Sequence, residues 1–254
     1  MGSSRGPRCL RLESTDPRST GRCAADHSCA TSAARLHGSD TVRQEPFEHV
    51  TIPRSTRRPQ RPPLWLHAHD LSDADVTVVD GITTTTVART LLDLLLRADR
   101  LTAIWAGESA LRDGLLSPNE LGLNVERGAR RRGIKRARRR HNEINQLSES
   151  PLETGVRLVF DDVLPPAATL QVPITRSDGS VMYRLDMGYE QRKVHIEYEG
   201  RSVHEQPIAV LADRERQNAI LNAGWRLLRI TWSDYRNRPR YIAATTAELL
   251  GHRL

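Results

Sequence analysis

Apolar positions along this chain follow two rhythms, and the change from one to the other marks where elements should begin and end. From 46 to 82 the runs "EHVTIP", "LWLHAHDL" and "DVTVVDGI" are short and rich in β-branched residues, with Arg- and Pro-rich stretches between them. That predicts short strands joined by loops. "TTTTVARTLLDLLLRADRLTAIWAGESALRDG" then has helical spacing, with Val87, Leu91, Leu94 and Leu95 on one stripe and a Thr to cap the start. "LSPNELGL" predicts a further helix, with Ser117 as N-cap, Pro118 in the first turn and Glu120 at the third position. "TSAARLHG", nearer the N-terminus, can form one short helix.

The pattern sharpens after residue 148. "SPLETGVRLVFDDVL" predicts a helix with Leu152, Val156, Val159, Phe160 and Val163 on one face, "TLQVPIT" a strand, and "RSDGS" a turn with Asp178 and Gly179 at its tip. In "VMYRLDMGY", Val181, Tyr183, Leu185, Met187 and Tyr189 face one way, and Arg184 and Asp186 the other. "KVHIEYEG" alternates as well, opposing Val194, Ile196 and Tyr198 to His195, Glu197 and Glu199. "ADRERQNAILNAGW" predicts a helix with Ala219, Ile220 and Ala223 inward, ended by Gly224, and "WRLLRITW" a strand. The order is α-β-β-β-α-β. Residues 148–235 should form a four-stranded mixed sheet, with 169–175, 181–189 and 194–199 antiparallel and 226–232 beside 194–199, flanked by helices 151–164 and 208–223.

With "EQRK" (190–193) as a four-residue hairpin loop, Tyr189 stands opposite Val194 and Asp186 opposite Glu197. Their Cβ atoms would then be about 4.5–5.5 Å apart, and Glu199 lies on the same face two residues on. Such acids repel, or one of them holds a proton. A divalent cation resolves the conflict, because Mg²⁺ takes a few carboxylate oxygens and keeps water in the rest of its shell. Solvent-facing acids are the other reading of the same spacing, and a slip of one residue would turn Asp186 to the opposite face.

Charge adds a partner class. The net charge is +7 and the basic residues are nearly all Arg, the exceptions being Lys135 and Lys193. The planar guanidinium fork suits phosphate, and a sequence pI near 9.9 favours nucleic acid. Eight Arg and Lys135 fall between 127 and 140. That run reads either as a solvated helix or linker or as a strip contacting phosphates, with Arg130, Arg131, Arg132, Lys135, Arg136, Arg138, Arg139 and Arg140 as its contacts. No run of 18 apolar residues exists, which predicts no membrane span, and the N-terminus lacks the apolar core of a secretory signal. Residues 1–45 lack sustained periodicity and are expected to form a disordered leader, apart from the short helix named above. Cys9, Cys23 and Cys29 all lie in this leader, which suggests no disulfide framework and fits a reducing cytoplasm. The spacing in "CAADHSC" is wrong for a C-x2-C metal knuckle.

The α-β-β-β-α-β order, an acid on the second strand and E-x-acid on the third resemble the PD-(D/E)XK nuclease superfamily. "HIEYEG" with a later His, followed by "DRERQNAILNAGWRLLRITW", is similar to its Vsr-like branch, known as domain of unknown function 559, over residues 148–235. "VDGITTTTVARTLLDLL" resembles a segment of AbiEi-type antitoxin and regulator proteins of actinobacteria. The resemblance implies an α/β (mixed α+β) chain: leader 1–45, a smaller α+β regulatory or DNA-binding segment 46–126, an Arg-rich linker or helix 127–147, and a restriction-endonuclease-like domain 148–254.

By position, Asp186 and Glu197 would be ligands of Mg²⁺ or Mn²⁺. Glu199 stands where many relatives carry Lys, His204 matches the branch's histidine, and Glu153 matches the acid on the first helix. Glu153 reads equally well as the capping partner of Ser150. Arg201, Arg214 and Gln217 would face the same site or its DNA. The implied activity is metal-dependent hydrolysis of DNA phosphodiesters, with His204 assisting proton transfer. The competing reading is a non-catalytic DNA-binding regulator of toxin–antitoxin type, with a partner protein from such a locus or a defence locus.

Overall fold

A computed structural model of the chain describes residues 27–40, 42, 46–56, 58–60, 62–164, 167–176, 178–199 and 207–251, without the side chains of 207–213. The described residues form a mixed α+β protein with two mixed sheets, one in each half of the sequence.

The first half contains β1 (His27–Ser28), α1 (Ala30–Leu36), β2 (Glu48–Ile52), β3 (Leu64–Ala68), β4 (Val76–Val79) and β5 (Ile82–Thr85), in sheet order β3-β2-β1-β5-β4. Asp80 and Gly81 both have positive φ, at +51° and +78°, and join Val79 to its partner Ile82 across a two-residue turn. Residues of this type suit the mirror-image turn that such hairpins require. Helices α2 (Val87–Arg97), α3 (Arg100–Arg112), α4 (Pro118–Arg127) and α5 (Ile134–Asn142) follow.

The single helical run read from the sequence is therefore a strand and two helices. "ITTT" pairs as β5, Thr86 caps α2, and Asp99 accepts from the Thr102 amide to start α3. Ser117 and Glu120 form the expected reciprocal capping box on α4. Leu91, Leu94 and Leu95 of α2 pack with Leu121, Val125 and Ala137 in one core.

Two expected boundaries change. Residues 1–26 lie outside the described residues, but 27–40 are ordered: His27 pairs with Thr51, and Ala33 and Ala34 are buried. Helix α1 falls on the short helix read from "TSAARLHG"; the pairing of β1 and the burial of α1 in the first half were not expected. Of the two readings of 127–147, linker or helix, residues 134–142 take the helix, α5, whose Ala137 and Arg140 are buried against the first core.

The second half runs α6 (Pro151–Val163), β6 (Thr169–Thr175), β7 (Val181–Tyr189), β8 (Val194–Glu199), α7 (Pro207–Asn222), β9 (Arg226–Thr231), α8 (Trp232–Asn237) and α9 (Pro239–Leu250). Its sheet order is β6-β7-β8-β9, antiparallel except for the parallel β8–β9 pair. Tyr189 pairs with Val194, the register expected, and Lys193 closes the hairpin at φ +47°. Gly224 ends α7 at φ +82°, with the Trp225 amide donating back to Ile220 O. Neither α8 nor α9 was anticipated. Gly155 lets α8 close on α6, since a Cβ at that position would lie 2.7 Å from Tyr235 Cζ.

One facing assignment is corrected. Met187 and Tyr189 join Leu152, Phe160 and Ile196 in one core, whereas Leu185 and Tyr183 join Val172, Ile220 and Trp225 in another. The five apolar residues of β7 therefore do not share a face. The switch falls at Asp186, where the β6–β7 ladder skips the Gln171–Asp186 rung and Gln171 adopts φ +53°. An interrupted rung of this kind breaks the two-residue alternation locally.

The halves are joined through α3 and α6. Glu108, fully buried, accepts from Arg157 Nη2 at 2.6 Å, from the Thr154 hydroxyl, and from the Asn145 amide at 2.9 Å. Nearby, Arg100 bridges Glu143 and Asp162.

Candidate functional site

The acids singled out from the sequence sit where β7 breaks its alternation. The β7–β8 ladder ends at Met187–Ile196, and Asp186 and Glu197 are the next residues along each strand. Burial, followed by the charges of Glu197 and Glu149, pushes the Asp186 carboxyl up from its ordinary value, against the pull of Arg216 on α7. Asp186 receives no hydrogen bond and no ion pair from the described residues.

Glu197 is different. It shares a rung of the parallel β8–β9 pair with Arg229, whose Nε lies 3.0 Å from Glu197 Oε2. The same guanidinium lies 3.6 Å from Glu199 and donates to Gln217 Oε1 on α7 at 3.2 Å. Arg229 thus answers much of the like-charge problem posed by Glu197 and Glu199. The sequence carried a signal for it, since Arg229 is a basic residue within an apolar strand, but placing it opposite Glu197 requires the β8–β9 register.

Glu153 occupies the start of α6. Both its oxygens are used locally, one accepting from the Ser150 hydroxyl and the other from the Glu149 amide, each at 2.8 Å. Burial and the charges of Asp186 and Glu149 nevertheless raise its pKa, so the cap also belongs to the acidic cluster. Tyr198, on the opposite face of β8, donates to Met187 Sδ at 3.4 Å, and burial with the Glu153 and Asp186 charges pushes its hydroxyl up. His195 is fully buried, neither ring nitrogen has a hydrogen-bond partner among the described residues, and burial with the nearby Arg216 and Arg229 charges holds it down at about 4.

Arg214 is exposed on α7, while Arg216, two residues on, reaches back to Arg184 O at 3.3 Å. His204 and Arg201 lie outside the described residues. Among the described residues, no group of three or more His, Cys, Asp or Glu stands close enough to enclose a metal ion. Asp186 and Glu197 alone fit a hard cation of the Mg²⁺ kind, which takes one or two protein carboxylates and keeps several waters. A cation there would share Glu197 with Arg229.

The basic run divides into two groups. Arg140 donates to Leu95 O and Arg136 to Leu96 O, bracing α5 against α2, while Arg131 pairs with the buried Asp93 and Arg138 with Glu126. Arg139 reaches Glu143 at 3.6 Å. Arg130, Arg132 and Lys135 are exposed and make no ion pair with a described residue.

These features define a mixed α+β protein with a carboxylate pair at a strand break and an arginine-rich turn in the other half. Two uncharacterized proteins of Mycobacterium tuberculosis, MT2308 of strain CDC 1551 / Oshkosh and Rv2248 of strain ATCC 25618 / H37Rv, are each 30% identical to it over 223 residues, 88% of this chain and 80% of either relative. The chain belongs to the family of these two mycobacterial proteins. No family model and no solved structure matches it.

Proposed function

We propose that the protein is a metal-dependent DNA endonuclease of the PD-(D/E)XK, Vsr-like kind, with Asp186 and Glu197 holding Mg²⁺ or Mn²⁺. The observation that carries this reading is Asp186, a carboxylate kept partly from water, close enough to Glu197 to feel its charge, and given no donor by the described residues. A bound divalent ion supplies an activated water and stabilises negative charge on the phosphate. The chain's own residues supply the rest. Arg216 and Gln217 line the approach from α7, Arg229 holds Glu197 in place, and His204 is the proton-transfer candidate.

A second reading is favoured by the Arg229 clasp. A guanidinium bridging Glu197 and Glu199 gives these acids a built-in cation, as expected of a DNA-binding regulator that has lost its metal. Nicking of supercoiled plasmid in Mg²⁺, Mn²⁺ or EDTA separates the two. The nuclease reading expects metal-dependent nicking that Asp186→Asn and Glu197→Ala abolish. A wild-type protein that binds plasmid without nicking it in either metal leaves the regulator.

A further inference from the structure

A cleft of about 1130 Å³ lies in the first half of the chain, and none of the acids of the candidate site line it. Three separate stretches build it: the ends of the β2–β3 region with Arg54 and His69, helix α2 with Arg89 in its first turn and Leu96 and Arg97 at its end, and residues 130–136, the turn and start of α5. Gly133, at φ +93°, makes that turn possible, because its Cβ position lies only 3.2 Å from Leu96 O. Seven arginines and Lys135 line the cleft, against a single acid, Asp70.

The buried members of this set are neutralised. Arg89 pairs with Asp93 and Asp75, and Arg131 with Asp93. Arg97, Arg130, Arg132 and Lys135 have no ion pair with a described residue. Positive charge is crowded enough to be felt: burial and Arg97 hold His69 down at about 4, and burial with the Arg89 charge lowers Arg131. Four unpaired cations converging on one concavity cost stability unless an anion joins them.

We infer that this cleft grips the phosphodiester backbone of nucleic acid without reading its bases. The lining excludes the obvious small-molecule alternative. Nucleotide pockets are mostly apolar, with aromatic rings on which a base can lie, whereas this cleft offers only Leu96 and Ile134 as apolar side chains and no Phe, Tyr or Trp. Arginine forks spaced along a groove suit successive phosphates. The grip shares no residue with the metal site, so it stands whether or not that site cleaves DNA.

The test is binding of a labelled 30-base-pair duplex by the full chain in EDTA, followed across a salt series. Arg97→Gln/Arg130→Gln/Arg132→Gln is compared with a charge-matched control, Arg184→Gln/Arg192→Gln/Arg240→Gln, three exposed arginines outside the cleft. Melting curves check that both variants fold. The cleft variant should bind at least tenfold more weakly, with a slope of log K on log salt flatter by about 2 to 3, since each phosphate contact contributes roughly 0.9. The control should move either quantity by less than half as much. Equal effects in the two variants, or an unchanged slope in the cleft variant, overturn the inference. So does displacement of the duplex by pyrophosphate or ATP at micromolar concentration, which would make the cleft a small-anion site. Because EDTA removes cleavage from the measurement, loss of nicking activity and loss of this grip are scored separately.

Discussion

Arg229 and Glu197 face each other across one rung of the parallel β8–β9 pair, and the guanidinium reaches both Glu197 and Glu199. With Arg229 more than a third exposed, the pair itself contributes no more than about 1 kcal/mol. Its larger consequence is competition, since a divalent cation at Asp186 must share Glu197 with Arg229. Arg229→Gln should leave the fold within about 1 kcal/mol of wild type and enlarge the rise in melting temperature produced by millimolar Mn²⁺. If the Mn²⁺ shift shrinks instead, Arg229 supports the cation site rather than competing with it.

The α3–α6 junction gives a second prediction. Glu108 is fully buried, and burial outweighs the pull of Arg157 enough to raise its pKa. Arg157→Met would leave that carboxylate without its cation, at a cost of about 3–5 kcal/mol. Glu108→Leu/Arg157→Met removes both charges and should recover more than half of the loss. Urea midpoints of the two variants decide it; a double variant no better than the single one would mean that packing, not charge, holds the halves together.

His195 sets a pH dependence. The ring is held neutral in the fold at about 4 against an ordinary 6.5, so the unfolded chain takes up the proton first as pH falls. Stability from this residue is present above pH 6.5 and is lost between 6.5 and 4, by up to about 3 kcal/mol for the full shift. His67, also lowered to about 4 by burial, adds to the same slope. His195→Phe should flatten the acid limb of the melting curve while sparing pH 8. An unchanged acid limb would place the ring in contact with water.

Much of the second half was legible because its signals are local. Alternation, the Asp178–Gly179 turn, the Ser150 cap and Gly224 each set one boundary, and β6 to β8 fall on the residues expected. What escaped is non-local. Strict alternation cannot show the face switch at Asp186, because it comes from a skipped rung with a neighbouring strand. Arg229 could be placed on its strand but not opposite Glu197 without the β8–β9 register. In the first half, α1 was legible as a short helix and α5 as one of two readings of its segment, but the burial of Ala33, Ala34 and Ala137 against other elements was not. The cleft was half visible as a run of arginines, but Arg54 and Arg97, distant in sequence, make it concave.

Asp186 carries the last prediction. Its carboxyl is raised above the ordinary 3.8 by burial and by Glu197, so the folded chain holds this proton more tightly than the unfolded chain does. The residue therefore destabilises the metal-free protein increasingly as pH rises above 3.8 towards the folded value. Asp186→Asn removes the charge and keeps the shape. It should melt above metal-free wild type at pH 7, with the difference closing as pH falls well below 3.8 and the Asp186 carboxyl becomes neutral in both states. Mg²⁺ or Mn²⁺ should raise the melting temperature of the wild type alone, because only the wild type offers a carboxylate that gains by binding. A carboxylate kept for structure behaves in the opposite way: Asp186→Asn is neutral or harmful at pH 7, and neither metal moves either protein. Melting curves of both proteins without metal, with Mg²⁺ and with Mn²⁺ therefore distinguish a cation site from a solvated acid without knowledge of the substrate. Indifference of the wild type to both metals would shift the assignment to the DNA-binding regulator, in which Arg229 already serves as the cation.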